Sequence, residues 1–142
     1  MRNLVSSIII VIIFFGCKSD TIENQENQKG NSNLSALEIV NQRMDFYNQH
    51  NFSKFIQLYA DNVKVYTYPD KLLGTGTDNI TSIFKPKFAK KSIQVKIESQ
   101  MHNGNFVINH ETVTENGSDT KYVSIYEVQD GLIRSVKFVR DN

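Results

Sequence analysis

The sequence has few of the residues that usually mark a disulfide, a metal site or a cofactor site. Of its 142 residues, one is cysteine, three are histidine, two are proline and none is tryptophan. A single cysteine cannot form a disulfide within the chain. The histidines, His50, His102 and His110, have no close carboxylate or cysteine spacing, so no metal is predicted. Gly74 and Gly76 lack the lysine of a phosphate loop, and no cofactor is predicted.

The chain also lacks an excess of charge of either sign. It has 16 basic and 15 acidic residues, and the first sixteen residues contribute one of the basic ones, Arg2. Nucleic-acid-binding domains usually present a strongly basic surface, because the phosphate backbone dominates their affinity. We therefore expect no nucleic acid partner.

One long apolar run stands at the N-terminus. Residues 4–15 are apolar apart from Ser6 and Ser7, and they follow the positively charged Arg2. The densest part, residues 8–15, is shorter than the roughly 20 residues that a helix needs to cross a bilayer. This pattern predicts a signal peptide over residues 1–16 rather than a membrane-spanning helix.

Cys17 follows that run directly after Gly16. Residues 14–17 resemble the lipobox of bacterial lipoproteins, with Phe14 and Phe15 in place of the commoner leucine and small residue. The resemblance implies that Cys17 is lipidated and that the partner of the chain is a membrane, through the lipid anchor. It places the protein in the cell envelope outside the cytoplasm. The residue directly after Cys17 is Lys18 and not aspartate, which favours the outer membrane. An ordinary secretory peptide with an incidental cysteine is the alternative.

A polar segment separates Cys17 from the folded part. Residues 18–33 consist mainly of Asn, Gln, Glu, Lys, Ser and Asp, with Ile22 as the only large apolar residue. Such a composition buries too little apolar surface to offset the entropy of ordering, so residues 17–33 are predicted to be a lipidated cysteine with a flexible tether. Ser35 and Glu38 then have the spacing of a capping box. We expect one folded domain over residues 34–142.

Helices are predicted in the first half of this domain. Apolar residues recur every three or four positions to about residue 49, and again to Asp61, with Ser53 as a possible N-cap. Thr77 is predicted to cap a third helix, which Pro86 kinks or ends.

Strands are predicted by alternating polarity. Residues 63–68 alternate with period two, and Pro69 ends that strand because proline has no N–H for the ladder. Asp130 and Gly131 are a hairpin signal near the C-terminus. Four further strands are predicted over residues 92–102, 106–115, 119–129 and 132–140.

This order of elements, with three local segments, resembles the nuclear transport factor 2-like superfamily in its SnoaL-like and ketosteroid-isomerase branch. The segments are LYADNV at 58–63, GTGTDNI at 74–80 and IYEVQDGLI at 125–133. The resemblance implies an α+β cone, in which three N-terminal helices pack on a curved antiparallel sheet. It also implies an apolar pocket at the open end of the cone and a homodimer formed by the other face of the sheet.

The catalytic residues of ketosteroid isomerases are absent from the matching positions. In the register set by the shared segments, the position of the base falls on Thr67, that of the helix-1 tyrosine on Arg43, and that of the protonated aspartate on Ser124. Of the supporting tyrosines, Tyr59 is present and Phe84 replaces the other. Steroid isomerisation by that mechanism is therefore not expected.

His110 is the candidate for acid–base chemistry. By the alternation of the family it faces the pocket, together with Ile108 and Thr112, where imidazole can act near neutral pH. Glu111 is expected to point away from it. The alternative is a structural histidine bonded to the hydroxyl of Ser124 or Tyr126.

Two functions follow from the sequence. The first is a non-catalytic domain that binds a small apolar ligand or serves as an accessory module; the second is an isomerase, cyclase or hydratase that uses His110. Aromatic and hydroxyl side chains with polar tips suit such a pocket, although the tyrosines also fit a core or a dimer contact. The predicted lining residues are Tyr47, Tyr59, Thr67, Phe84, His110, Ser124 and Tyr126.

Overall fold

The computed structural model describes residues 33–140. The predicted signal peptide, Cys17 and nearly all of the predicted tether lie outside the described residues. Within the described part, no helix combines the length and the apolar character that a membrane span requires.

The first two helices begin at side-chain caps. Ser35 Oγ accepts from the Glu38 amide at 3.3 Å, and Glu38 Oε2 accepts from the Ser35 amide at 2.8 Å, which confirms the predicted capping box. The second helix is capped by Asn51, whose Oδ1 accepts from the Lys54 amide at 3.2 Å, and not by Ser53. The helices of the described residues are α1 (Ala36–Asn48), α2 (Phe52–Gln57) and α3 (Thr77–Lys90).

The third helix differs from its prediction at both ends. Its N-cap is Gly76, with φ of 87°, rather than Thr77. Pro86 lies inside the helix and does not end it, because burial of Ile80 and Phe88 against the core holds the helix together on both sides of the missing hydrogen bond. The helix ends at Lys91, which has the left-handed φ of 50°.

The six strands of the described residues form one sheet in the order β2-β1-β6-β5-β4-β3. All neighbouring pairs are antiparallel except β1 and β6, which are parallel, so the sheet is mixed rather than wholly antiparallel as predicted. The second strand in chain order was not predicted, since Pro69, Gly74 and Gly76 in and around it are typical of a loop. The strands are β1 (Tyr59–Thr67), β2 (Lys71–Thr75), β3 (Ile93–Asn103), β4 (Phe106–Glu115), β5 (Ser118–Gln129) and β6 (Leu132–Arg140).

The helices cover one face of the sheet, here called the inner face. The core between them is rich in aromatic rings, and Phe55 lies at its centre with ring centroids 4.9 Å from Phe88 and 5.2 Å from Tyr59. Ile39 and Val40 of α1 are completely buried against the sheet. This arrangement confirms the predicted α+β class and the four-strand meander, and it leaves an opening beside α1 and α3.

Candidate functional site

A cavity of about 390 Å³ lies between α1, α3 and the inner face of the sheet. Its volume is within the range that small-molecule sites usually have. The walls are largely apolar and aromatic, and charged side chains lie at two levels. The lining residues are Arg43, Tyr47, Thr67, Leu73, Phe84, Lys87, Glu111, Val113, Glu115, Tyr122, Phe138 and Arg140.

Arg43 is a buried cation in this lining. It lies on the core-facing side of α1 and is only 3% exposed. Its Nε donates to Tyr59 Oη at 2.9 Å, and its Nη1 donates to Met44 Sδ at 3.2 Å. The guanidinium carbon also lies 5.1 Å from the ring centroid of Tyr47 and 5.3 Å from that of Tyr126. Cation–π contacts of this kind help to hold a desolvated charge.

Glu111 is a buried acidic side chain in the same lining. It is 2% exposed, and its Oε1 accepts from Ser124 Oγ at 2.7 Å while its Oε2 accepts from Asn109 Nδ2 at 3.3 Å. Asn109 is itself fixed by Gln100, whose Nε2 donates to Asn109 Oδ1 at 2.9 Å. The carboxylate therefore has a bond to each oxygen and a defined orientation.

Arg43 and Glu111 together form what we call the charged floor of the cavity. Burial alone lowers the pKa of the Arg43 guanidinium, but Tyr126, Tyr59 and Glu111 raise it by more, and the net pKa lies above its ordinary value. For the phenols of Tyr47, Tyr59 and Tyr126, burial raises the pKa. At neutral pH the floor thus holds the Arg43 cation beside the Glu111 side chain, with neutral phenols around them.

The mouth of the cavity has a separate set of charges, here called the rim: Lys87, Glu115 and Arg140. Lys87 Nζ contacts Glu115 Oε2 at 2.6 Å, in a pair whose side chains are partly exposed. Among the described residues, no group of three or more histidine, cysteine, aspartate or glutamate side chains is placed to bind a metal ion.

Most of the lining residues predicted from the sequence lie at this cavity or directly behind it. Tyr47, Thr67 and Phe84 line it. The others contact the floor without lining the cavity: Tyr59 bonds Arg43, Ser124 bonds Glu111, and Tyr126 packs its ring on Arg43. The positions that match the ketosteroid isomerase catalytic set therefore do meet at one place, although they carry different residues.

The predicted orientation of His110 is wrong. His110 is exposed on the outer face of the sheet, and Asn109 and Glu111 occupy the inner face of β4. The alternation divided the residues of β4 correctly between the two faces of the sheet. It assigned the wrong face to the inside. Polar residues can occupy the inner face because Gln100 and Ser124 satisfy their hydrogen bonds. His110 thus does not take part in the cavity.

A second, larger concavity of about 640 Å³ lies on the outer face of the sheet. Its charged groups largely bond one another. Lys137 Nζ contacts Asp70 Oδ1 at 2.7 Å, and Ser135 Oγ donates to Glu127 Oε2 at 2.9 Å. Arg134 Nε has no partner there among the described residues, but both acidic side chains of the lining, Asp70 and Glu127, are already bonded. Since the inner cavity also has the aromatic walls that small-molecule sites favour, we take it as the candidate site.

A helix-covered sheet with a cavity over a buried charged floor defines a class of α+β cone-shaped domain with an internal cavity. The family model of the SnoaL-like domain matches residues 40–136. The chain belongs to this SnoaL-like family, within the nuclear transport factor 2-like fold. A search of curated proteins gives no match.

Solved structures agree on the fold. An NTF2-like protein of unknown function from Cytophaga hutchinsonii has 16% identity and a TM-score of 0.64, covering 76% of this chain and 91% of that chain. An uncharacterised cystatin fold protein from Novosphingobium aromaticivorans has 21% identity and a TM-score of 0.67, with coverage of 75% and 99%. A putative ketosteroid isomerase from Kribbella flavida has 17% identity and a TM-score of 0.60, with coverage of 75% and 78%. At these identities the likeness establishes the fold alone.

Proposed function

We propose that this domain binds a small molecule in the inner cavity and does so without catalysing a reaction. The observation that carries the proposal is the cavity of about 390 Å³, with apolar and aromatic walls above a fixed charged floor. A closed core would not leave such a space, because protein interiors are normally packed to the density of organic crystals. The absence of the ketosteroid isomerase residues at Thr67, Arg43 and Ser124 supports the non-catalytic form of the proposal.

Thermal-shift and calorimetric screening of the mature chain with Cys17→Ser against a library of hydrophobic metabolites tests this function. A bound compound raises the melting temperature, and the shift grows with the logarithm of its concentration above Kd. Val113→Phe places a larger side chain in the cavity lining and is expected to remove that shift. His110→Phe introduces phenylalanine on the exposed side of the same strand, and this variant should retain the melting-temperature shift. Equal shifts in both variants would place binding elsewhere.

Acid–base catalysis is a second candidate, and the position of Glu111 favours it. Its carboxylate lines the cavity, where it can reach a bound molecule, and Ser124 and Asn109 hold it in place. A direct assay of isomerisation of a 5-ene-3-ketosteroid by ultraviolet absorbance tests this candidate. Turnover that is lost in Glu111→Gln and kept in His110→Ala would establish catalysis and replace the non-catalytic function.

We further propose that Cys17 carries a lipid anchor that holds the domain at the outer membrane. Support comes from the apolar run and small residue before Cys17 and from the lack of aspartate at the position directly after it. Metabolic labelling of the full chain with an alkyne fatty acid should label the wild type and leave Cys17→Ser unlabelled. Density-gradient separation of the membranes then tests the placement. A processed but unlabelled wild-type chain would instead indicate an ordinary secretory peptide.

We also propose that the chain forms a homodimer through the outer face of the sheet. Met101 of β3, Ile108 of β4 and Ile125 of β5 are in register and form an apolar row across that face. Met101 is 64% exposed, so the row is open to a partner.

A further inference from the structure

The hydrogen bonding of Arg43 is incomplete. Nε has a phenol oxygen as acceptor and Nη1 has a thioether sulfur, which is a weak acceptor. Within residues 33–140, no hydrogen bond from Nη2 to a side chain or carbonyl is formed, and no carboxylate lies within ion-pair distance of the guanidinium. Since Arg43 lines the cavity, these unused donors are available to a molecule that enters it.

Tyr126 lies directly behind the floor, beside Arg43, and does not itself line the cavity. Its ring is completely buried, and its Oη has no hydrogen-bond partner among the described residues. A buried hydroxyl without a partner is costly, and such groups in native structures usually have a role. The phenol remains protonated at neutral pH because burial raises its pKa, so it can donate a hydrogen bond.

The acceptors near the floor already have donors. Both oxygens of Glu111 accept hydrogen bonds, from Ser124 and Asn109, and Glu115 at the rim is paired with Lys87 at 2.6 Å. A ligand therefore meets the guanidinium donors of Arg43, which lack a strong acceptor, and few free acceptors. The group that fits such a floor is rich in acceptor atoms, and an anionic one also neutralises the buried guanidinium.

The walls above the floor describe the rest of the molecule. Tyr47 and Phe84 form one side with ring centroids 6.0 Å apart, and Tyr122 and Phe138 form the other with centroids 5.9 Å apart. Paired aromatic side chains on both sides suit a flat or aliphatic apolar body.

We propose that the cavity takes an amphipathic carboxylic acid, with its carboxylate on Arg43 and its apolar body between the two pairs of aromatic rings. The inference rests on the proposed binding function and names the class of ligand. Among the described residues the guanidinium has no carboxylate at ion-pair distance, and Glu111 acts on it only at longer range. A ligand carboxylate supplies the direct, planar bidentate pairing that suits arginine.

Matched pairs of an acid and its amide test the class of ligand, because each pair keeps one body and changes only the charge of the head. The pairs are 2-naphthoate with 2-naphthamide, phenylacetate with phenylacetamide, and octanoate with octanamide. Calorimetric Kd values are measured on the mature chain with Cys17→Ser. In at least one pair we expect the acid to bind about tenfold or more tightly than the amide, the effect of a charge-assisted hydrogen bond.

Substitutions at Arg43 assign the preference to that residue. Arg43→Met has a similar length without the charge and should make the acid and the amide bind alike. Arg43→Lys retains a charge and should keep part of the preference, which provides a test if the methionine variant does not fold. His110→Ala, on the exposed outer face, should leave both Kd values unchanged.

The outcomes separate the class of ligand from the binding function. Acid and amide that bind equally, with binding lost in Val113→Phe, would overturn the carboxylate and leave the cavity as a binding site. Failure of every acid and every amide to bind would overturn both. An acid preference that persists unchanged in both Arg43 variants would place the carboxylate on another cation and overturn the assignment to Arg43.

Discussion

Arg43 lies where the pattern of α1 would place an apolar residue. Ile39, Val40, Met44 and Tyr47 surround it on the buried side of the helix. A charged group in such a place is destabilising unless it is bonded and stacked, and Arg43 has a phenol acceptor and aromatic rings on several sides. The rings also limit its motion, so a ligand would find the guanidinium already in position.

The buried phenols predict how the protein responds to high pH. The pKa values of Tyr47, Tyr59 and Tyr126 are raised in the folded state, whereas unfolded tyrosine has a pKa of about 10. Above that pH the unfolded chain binds fewer protons than the folded one, so the free energy of unfolding falls as pH rises, by up to about 1.4 kcal/mol per pH unit for each phenol. Below it, these phenols add no pH dependence.

Tyrosinate absorbance during an alkaline titration, followed together with circular dichroism, measures this effect. Part of the absorbance change of the six tyrosines should appear only as the fold is lost. Tyr47→Phe should shrink that late part, because the Tyr47 hydroxyl is one of its sources. Complete ionisation with the circular dichroism unchanged would contradict the prediction.

For single residues, the sequence predicted the position in the fold better than the chemical role. The register with the ketosteroid isomerases brought Arg43, Thr67 and Ser124 to one site, and they do lie at or behind the cavity. It did not predict Glu111, since polarity along β4 is similar on both faces. The signal that was available is Arg43 itself, because a charged residue on an apolar helix face implies a buried polar partner nearby.

The capping box gives α1 a measurable contribution to stability. Ser35→Ala removes the bond to the Glu38 amide and should lower the free energy of unfolding by about 1 kcal/mol. Ser53→Ala is the matched control, because Ser53 lies within α2 and is not its cap. It should change stability by less than about 0.5 kcal/mol. Equal losses in chemical denaturation of the two variants would show that the box contributes nothing specific.

Most helices and strands could be predicted because their periodicity is strong and their turns have distinct residues. The meander was correct to within one residue at each end, since Asp130 and Gly131 both take the positive φ that a tight hairpin needs. The β2 strand could not be found, because it has only five residues, contains Gly74 and is followed by Gly76, so it carries almost no pattern. Its pairing with β1 depends on contacts that are set by the rest of the sheet.

At the scale of the molecule, the two faces of the sheet differ in use. The inner face holds the core and the cavity, and the outer face carries the apolar row of Met101, Ile108 and Ile125. The proposed dimer predicts that Ile108→Lys converts a dimer to a monomer, because it places a charge in the middle of that row. Light scattering after size exclusion measures the change in mass.

The control for the dimer is Gln57→Lys, which adds the same charge on the exposed side of α2. It should leave the mass at twice that of one chain. A wild-type chain that is monomeric at all concentrations tested would contradict the dimer and leave the cavity as the functional feature of the fold.

The position of β6 also governs when the protein can finish folding. This strand, at residues 132–140, is the only bridge in the sheet between the β2–β1 pair and the β5–β4–β3 strands. The parallel pairing with β1 joins segments some seventy residues apart, as in Lys64 with Ser135. Pairing over such a separation is slow and must wait for synthesis of the last strand. If residues 1–16 act as the proposed export signal, this delay would keep the polypeptide unfolded while it is threaded through a translocation channel.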